Sequence, residues 1–428
     1  MSNAPWVGVS VLLAFAAGCG SGAGISNPQA LLQNTFAPGE FRADGISTKE
    51  VLVKVKPGST AVSPYALRVI DRVLARHGVY SIVIPPGKTA EQLIASLKSQ
   101  PGILAVQPNY YYTLDKPVSI KRANDLQILP LLQIDDPLGA EQYQLTVTKA
   151  FEAWDVMPGK KNIRLALVDT GIDPDHPDLK SQLDPQVGLY NVFTKDNQVK
   201  DGHGHGTHTA GIAAAAANNK EGGAGMAPGV TLMAVQVLNA GGGGDSKSIA
   251  AGYYWASDNG ANIISASLGI YQHDKTIEDA LQYALDKDVC LVASAGNNGS
   301  ENDQVNKPHL PSTYPGVIEV AASDKNDKRT SFSNYGKTVS VAAPGMDVLS
   351  TVPTYTNGTG KVGYAKMSGT SMAAPGAAGV VALIRSQHPD WKRDQVKAAL
   401  EKAADDLGAA GFDPYYGNGR INALKSVN

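Results

Sequence analysis

The chain has 428 residues, 43% of them hydrophobic and 18% charged, and a formal net charge of -2. That composition supplies a sizeable apolar core for one large domain or two unequal ones, and excludes a disordered or fibrous chain. With no long basic run, neither nucleic acid nor an anionic membrane surface is expected as an electrostatic partner.

Residues Val7 to Ala17 are almost wholly apolar and lead into the small-residue stretch Ala16-Ala17-Gly18-Cys19. Too short to span a bilayer, the run suits the centre of an export signal over 1–18. It resembles a bacterial lipoprotein signal, which implies a lipid on Cys19 and membrane contact only through that anchor. The other cysteine, Cys290, lies in the apolar run Val289-Cys290-Leu291-Val292; a bridge to Cys19 is possible on paper, but that context makes Cys290 an expected buried strand residue, a reactive thiol being the alternative. Residues 19–50 are rich in Gly, Ser, Asn, Gln and Pro and read as a flexible tether. Over 51–115 the pattern changes to strand (Val51–Val55), helix (Tyr65–Arg76), strand (Val79–Ile84), helix (Thr89–Ser99) and a last extended run (Ile103–Tyr112), a small α+β unit. An irregular connector, 116–135, precedes the main domain, 136–428. There the apolar runs Ile163–Val168, Val230–Leu238, Ile263–Leu268, Val289–Ala295, Val317–Ala322 and Val339–Ala343 alternate with helical segments, including Thr207–Ala217 and Met372–Gln387. Near-continuous apolar strands of this kind predict an α/β fold, a doubly wound, mostly parallel sheet flanked by helices. In such sheets a site gathers beyond the carboxyl ends of the strands.

Four short segments carry the chemistry: Val168-Asp169-Thr170-Gly171, His205-Gly206-Thr207-His208, Gly296-Asn297-Asn298-Gly299 and Gly369-Thr370-Ser371-Met372-Ala373. They supply an acid, a base, an amide donor and a nucleophile, the parts needed for acyl transfer from a serine. Three histidines in six residues, His203, His205 and His208, also invite a metal reading, but no cysteine lies near to complete a tetrahedral site.

All four segments in this order resemble the subtilisin-like serine proteases, the subtilase family (peptidase S8). The resemblance implies a serine endopeptidase with Ser371 as nucleophile, His205 as general base and then acid, Asp169 orienting the imidazole, and Asn297 donating to the oxyanion. Asn298 is the neighbouring alternative for the last role. It implies a substrate cleft of Gly242, Gly243 and Gly244 facing Ser267, Leu268 and Gly269, and a primary pocket walled by Ser267–Gly269 and Ser294, Ala295 and Gly296. The pocket floor falls near His309, before Leu310-Pro311. The unit at 51–115 resembles the ferredoxin-like propeptide of the family, an intramolecular inhibitor cut within 116–135, with an accessory domain as the alternative. A structural calcium site is implied at Asp136, Asp178 and Asn219 with carbonyls of Ala217, Glu221 and Gly223, where a solvated turn is the alternative. Gly376 stands where the family commonly has His. The resulting expectation is an exported, monomeric protease acting on proteins or peptides without a catalytic cofactor; a silent binding protein or a peptide ligase would share the same fold.

Overall fold

A computed structural model describes residues 36–37, 39–62, 64–65, 71–114, 118–122, 134–302 and 308–428. The expected signal, Cys19, the first part of the tether and most of the connector lie outside the described residues. In chain order, the N-terminal module runs β1 (Ile46–Val55), α1 (Arg72–Arg76), β2 (Val79–Val83), α2 (Ala90–Leu97) and β3 (Ile103–Thr113). β4 (Ser119–Arg122), α3 (Tyr143–Val147) and α4 (Ala150–Trp154) lead to β5 (Arg164–Asp169), β6 (Leu189–Asn191), α5 (His205–Ala214), β7 (Thr231–Gln236), β8 (Gly243–Asp245) and α6 (Ser246–Asp258). Then come β9 (Ile263–Ala266), β10 (Ile270–Tyr271), α7 (Lys275–Asp286), β11 (Cys290–Ser294), β12 (His309–Leu310), β13 (Ile318–Ser323) and β14 (Val339–Pro344). The chain closes with β15 (Val348–Val352), β16 (Gly363–Ser368), α8 (Thr370–Gln387), α9 (Arg393–Ala403) and α10 (Ala423–Val427).

Seven strands form the central sheet in the order β14-β13-β11-β9-β5-β7-β6, every pairing parallel. Side chains alternate across it, as strand geometry requires. Leu165 and Leu167 of β5 enter one core with the alanine-rich helices α5 and α8, whereas Ala166 and Val168 enter the opposite core with α6 and α7. The sheet is therefore doubly wound, as the apolar runs predict. α8 is buried along nearly its whole length, and its Ala and Gly residues let it run close under the strands. Cys290 is a buried free thiol whose pKa burial pushes up to about 12.

The N-terminal module packs α2 on an antiparallel sheet over a small core of Val51, Val53, Ile82, Leu93 and Leu97. Thr89 and Gln92 close a reciprocal cap at the start of α2. Three expectations change. The tether ends earlier than 50, because β1 begins at Ile46 and Phe41 bridges to Ser47. The first helix, among the described residues, is only Arg72–Arg76, started by the Asp71 side chain. Within the connector, β4 pairs with β16, which supplies the backbone partners that its own sequence cannot advertise.

Candidate active site

Strand β5 delivers Asp169 at its carboxyl end, and α5 opens with His205. The imidazole Nδ1 lies 2.8 Å from Asp169 Oδ1 and 3.0 Å from Oδ2, and both side chains are buried. Thr170 N and Thr209 Oγ1 also donate to the Asp169 carboxylate, at 2.7 and 3.2 Å. These contacts fix Nδ1 as the proton-bearing nitrogen and direct Nε2 away from the acid. The glycines beside the pair permit this approach: a Cβ on Gly206 would stand 2.1 Å from the Gly171 carbonyl oxygen, and one on Gly171 only 2.2 Å from that of Val199.

A further carboxylate joins the two segments. Fully buried Asp201 accepts from Thr170 Oγ1 at 2.8 Å, Gly204 N at 2.7 Å, and Thr207 N and Oγ1 at 2.8 and 2.7 Å. Sequence reasoning missed it; the only signal was an acidic residue shortly before a helix start. His208 Nε2 donates to the Ala365 carbonyl at 3.0 Å, and burial depresses its pKa to about 3, so it serves packing on the far side of α5. Because that partner is a carbonyl, the neutral ring is the donor there. Among the described residues, no group of three or more His, Cys, Asp or Glu gathers in a way that could hold a metal.

Ser371 lies in the first turn of α8, which packs against α5. Its Oγ is buried and has no hydrogen-bond partner among the described residues. Asn297, beyond the end of β11, has its carboxamide oxygen occupied by Thr370 N and Thr370 Oγ1, both at 2.9 Å. The amide nitrogen must then face the other way. A Cβ built on Gly369 would lie 3.2 Å from Asn297 Nδ2 and 3.7 Å from Ser371 N, so both donors border one small space at the positive end of α8. Asn298 instead donates its backbone N–H to Asn334 Oδ1 at 2.9 Å and is a turn residue.

The segments expected to form a cleft lie on either side of residues 111–114. β8 pairs antiparallel with β3, matching Tyr111 with Asp245, Tyr112 with Gly244 and Thr113 with Gly243. Leu114 N donates to the Gly242 carbonyl at 2.9 Å, and Thr113 also bridges Gly269 on the other side. Ser267 and Leu268 are buried, with Ser267 Oγ donating to the Ser371 carbonyl at 2.9 Å. Residues 111–114 of the chain thus lie as a strand between the two cleft segments. Around them Asn109, itself fully buried, donates to Glu50 at 2.9 Å and Asp245 at 2.8 Å, while Gln107 and Tyr112 reach Asp274. Ser294, Ala295 and Gly296 line the end of β11 beside buried His309, whose following peptide, Leu310-Pro311, is cis.

The residues expected to hold calcium also converge. Asp136 accepts from the backbone N–H groups of Asn218, Asn219 and Lys220 at 2.9, 2.9 and 3.2 Å. Asp178 accepts from Asn219 Nδ2 at 2.9 Å, Gly223 N at 3.2 Å and the Tyr364 hydroxyl at 3.0 Å. Glu221 contributes its N–H to Asn219 Oδ1 at 3.0 Å, and Ala217 lies half-buried at the start of the loop. Burial, with the nearby Asp178 charge, raises the Asp136 pKa even though three N–H groups oppose it. Two buried carboxylates and a carboxamide thus meet here, their oxygens accepting from backbone N–H groups, the Asn219 amide and the Tyr364 hydroxyl.

The subtilase family profile (peptidase S8) matches residues 160–419. Thermitase of Thermoactinomyces vulgaris is 41% identical over 294 residues, covering 68% of this chain and 98% of thermitase. A thermophilic serine proteinase of Bacillus sp. strain AK1 is 37% identical over 357 residues, 83% of this chain and 79% of that protein. The crystal structure of fervidolysin from Fervidobacterium pennivorans, a keratinolytic enzyme related to subtilisin, superposes with a TM-score of 0.78 at 30% identity, over 91% of this chain and 62% of that one. A subtilisin-like fold carries this site, and the chain belongs to the subtilase family. It is a serine-type endopeptidase.

Proposed function

We propose that the chain hydrolyses peptide bonds through an acyl-enzyme on Ser371. The observation that carries this is the buried Asp169–His205 pair, held at 2.8 Å, beside the α8 N-terminus that bears Ser371. His205 Nε2 takes the Ser371 proton as Oγ attacks the substrate carbonyl, and the new oxyanion is held by Asn297 Nδ2 and Ser371 N–H. His205 then gives that proton to the leaving amine, and water attacks the acyl group by the same route in reverse. Removing one oxyanion donor costs about 10²–10³ in turnover.

The N-terminal module acts as an inhibitor in this scheme, making the chain a zymogen. Its strand over 111–114 takes backbone hydrogen bonds that a substrate would use. Cutting in the connector, 116–135, would free the cleft and separate the catalytic part from any lipid on Cys19. Calcium would be held by Asp136, Asp178 and Asn219 and would act on stability, tying the chain before α3 to the loop after α5. Replacing Ser371 with Ala is expected to abolish casein cleavage and leave an uncut precursor on a gel. Wild-type protein should lose the same activity to a serine-directed covalent inhibitor. Casein cleavage that persists in Ser371→Ala would refute the assignment.

A further inference from the structure

We infer that His309 sets the substrate preference of this protease by presenting a hydrogen-bond acceptor in the primary pocket, selecting carboxamide side chains, Gln and Asn, before the scissile bond. The inference rests on the proteolytic reading above and names its substrate class.

His309, which falls at the expected floor of the primary pocket, belongs to a polar relay with Ser312 and Glu319. His309 is fully buried, and its Nε2 has no hydrogen-bond partner among the described residues. That nitrogen lies against the two glycines that wall the pocket: a Cβ on Gly269 would sit 2.1 Å from it, and one on Gly296 3.1 Å. Gly296 directly precedes Asn297, so a substrate whose carbonyl reaches the oxyanion donors brings its adjoining side chain here. The register of the bound strand agrees. Leu114 packs against Gly242, with a Cδ1 3.3 Å from a Cβ built there. In a substrate held in the same register, the next side chain points to the opposite face of the strand.

The other face of the imidazole decides which way its proton points. His309 Nδ1 lies 2.9 Å from Ser312 Oγ, which in turn lies 3.1 Å from buried Glu319 Oε1. A hydroxyl has one proton, and a carboxylate is the strongest acceptor in reach, so Ser312 donates to Glu319. Ser312 Oγ is then left to accept the Nδ1 proton, and Nε2 carries a lone pair into the pocket. Burial holds the His309 pKa down to about 4, which keeps the ring neutral at neutral pH. The Glu319 carboxylate behind the ring disfavours an acidic side chain. An apolar one leaves Nε2 buried and unpaired, a desolvation cost that sites built to bond their substrate use for rejection.

The test uses the mature enzyme and blocked chromogenic peptides Tyr-Thr-Leu-X-p-nitroanilide, whose first residues repeat Tyr112 to Leu114, with X as Gln, Met, Glu or Phe. Met and Glu are near in shape to Gln. We expect kcat/KM for Gln to exceed that for Met and for Glu by about tenfold or more. In His309→Ala the ratio of Gln to Met should fall to within about threefold of unity, while the Phe peptide gains. The wild-type series decides the matter even if that variant does not fold. Casein cleavage with Met, Glu or Phe preferred over Gln overturns the inference and leaves the protease reading intact, as does an unchanged ratio in folded His309→Ala. Failure on casein and on every peptide removes both.

Discussion

Asp201 ties the acid and base segments of the site to each other. Its two oxygens reach Thr170, which leads out of β5, and Gly204 and Thr207, which begin α5. Removing the carboxylate leaves buried N–H and O–H groups without acceptors, each costing about 1–3 kcal/mol. Asp201→Ala should therefore lower stability by about 2–4 kcal/mol. It should also cut kcat by roughly tenfold to a hundredfold with little change in KM, because displacement of a base by about 1 Å is enough for that loss. Asp201→Asn, which keeps one acceptor oxygen, should recover part of both. Steady-state kinetics and denaturant melts separate the two effects; a folded Asp201→Ala enzyme with wild-type kcat would show that Asp201 does not position the pair.

Among the elements, α8 carries Ser371, the proposed nucleophile, and fills the space beneath the sheet, so its two interior glycines have different meanings. A Cβ on Gly376 would meet nothing nearer than Ile212 Cγ2 at 3.9 Å. One on Gly379 would stand 2.5 Å from Met226 Cβ and 3.0 Å from the Ala213 carbonyl oxygen. Gly376→Ala is expected to stabilise the protein by roughly 0.5–1 kcal/mol through helix propensity, with activity retained. Gly379→Ala should destabilise it by about 1–3 kcal/mol through overpacking. Melts in the Ser371→Ala background avoid autolysis, and equal midpoints for the two variants would contradict this account. The principal strands were legible because burial on both faces writes itself into composition: the run Ile163–Val168 became Arg164–Asp169, and Val339–Ala343 became Val339–Pro344. β8 (Gly243–Asp245) and β4 were not legible as strands, since short edge segments take their conformation from a partner distant in sequence. The four chemical motifs were legible for the opposite reason, that each needs particular side chains in one local turn. Asp201 and the relay through Ser312 and Glu319 exist only once distant segments meet.

For the whole molecule, the proposed calcium cluster at Asp136 and Asp178 would link stability to pH and to the cation. Burial and the neighbouring Asp178 raise the Asp136 pKa. The folded state thus holds this proton more tightly than the unfolded chain does. In chelator, its contribution is present at low pH and is lost as pH rises through the folded pKa. A cation favours the ionised form and reverses that penalty. Calcium should therefore raise the melting temperature more at pH 7 than at pH 4, with a gain near 2.7 kcal/mol at a hundredfold excess over Kd. Asp178→Ala combined with Asn219→Ala should remove the gain. Scanning calorimetry with calcium and with chelator checks this, and superimposable traces at pH 7 would reject the site.

If a substrate pairs with β8 as residues 111–113 do, as proposed above, that pairing also governs what kind of target the protease can open. Glycines supply two of the three residues of β8, so the grip there falls on main-chain amides and carbonyls, which every polypeptide owns. In a folded target those same groups are already committed to the target's own helices and sheets. The first filter is therefore conformational: a segment of several residues must leave its native partners before any side chain reaches His309. Digestion of an intact globular protein would keep time with that protein's local opening, whereas unfolded chains, tails and long surface loops would be cut at a pace set by the enzyme.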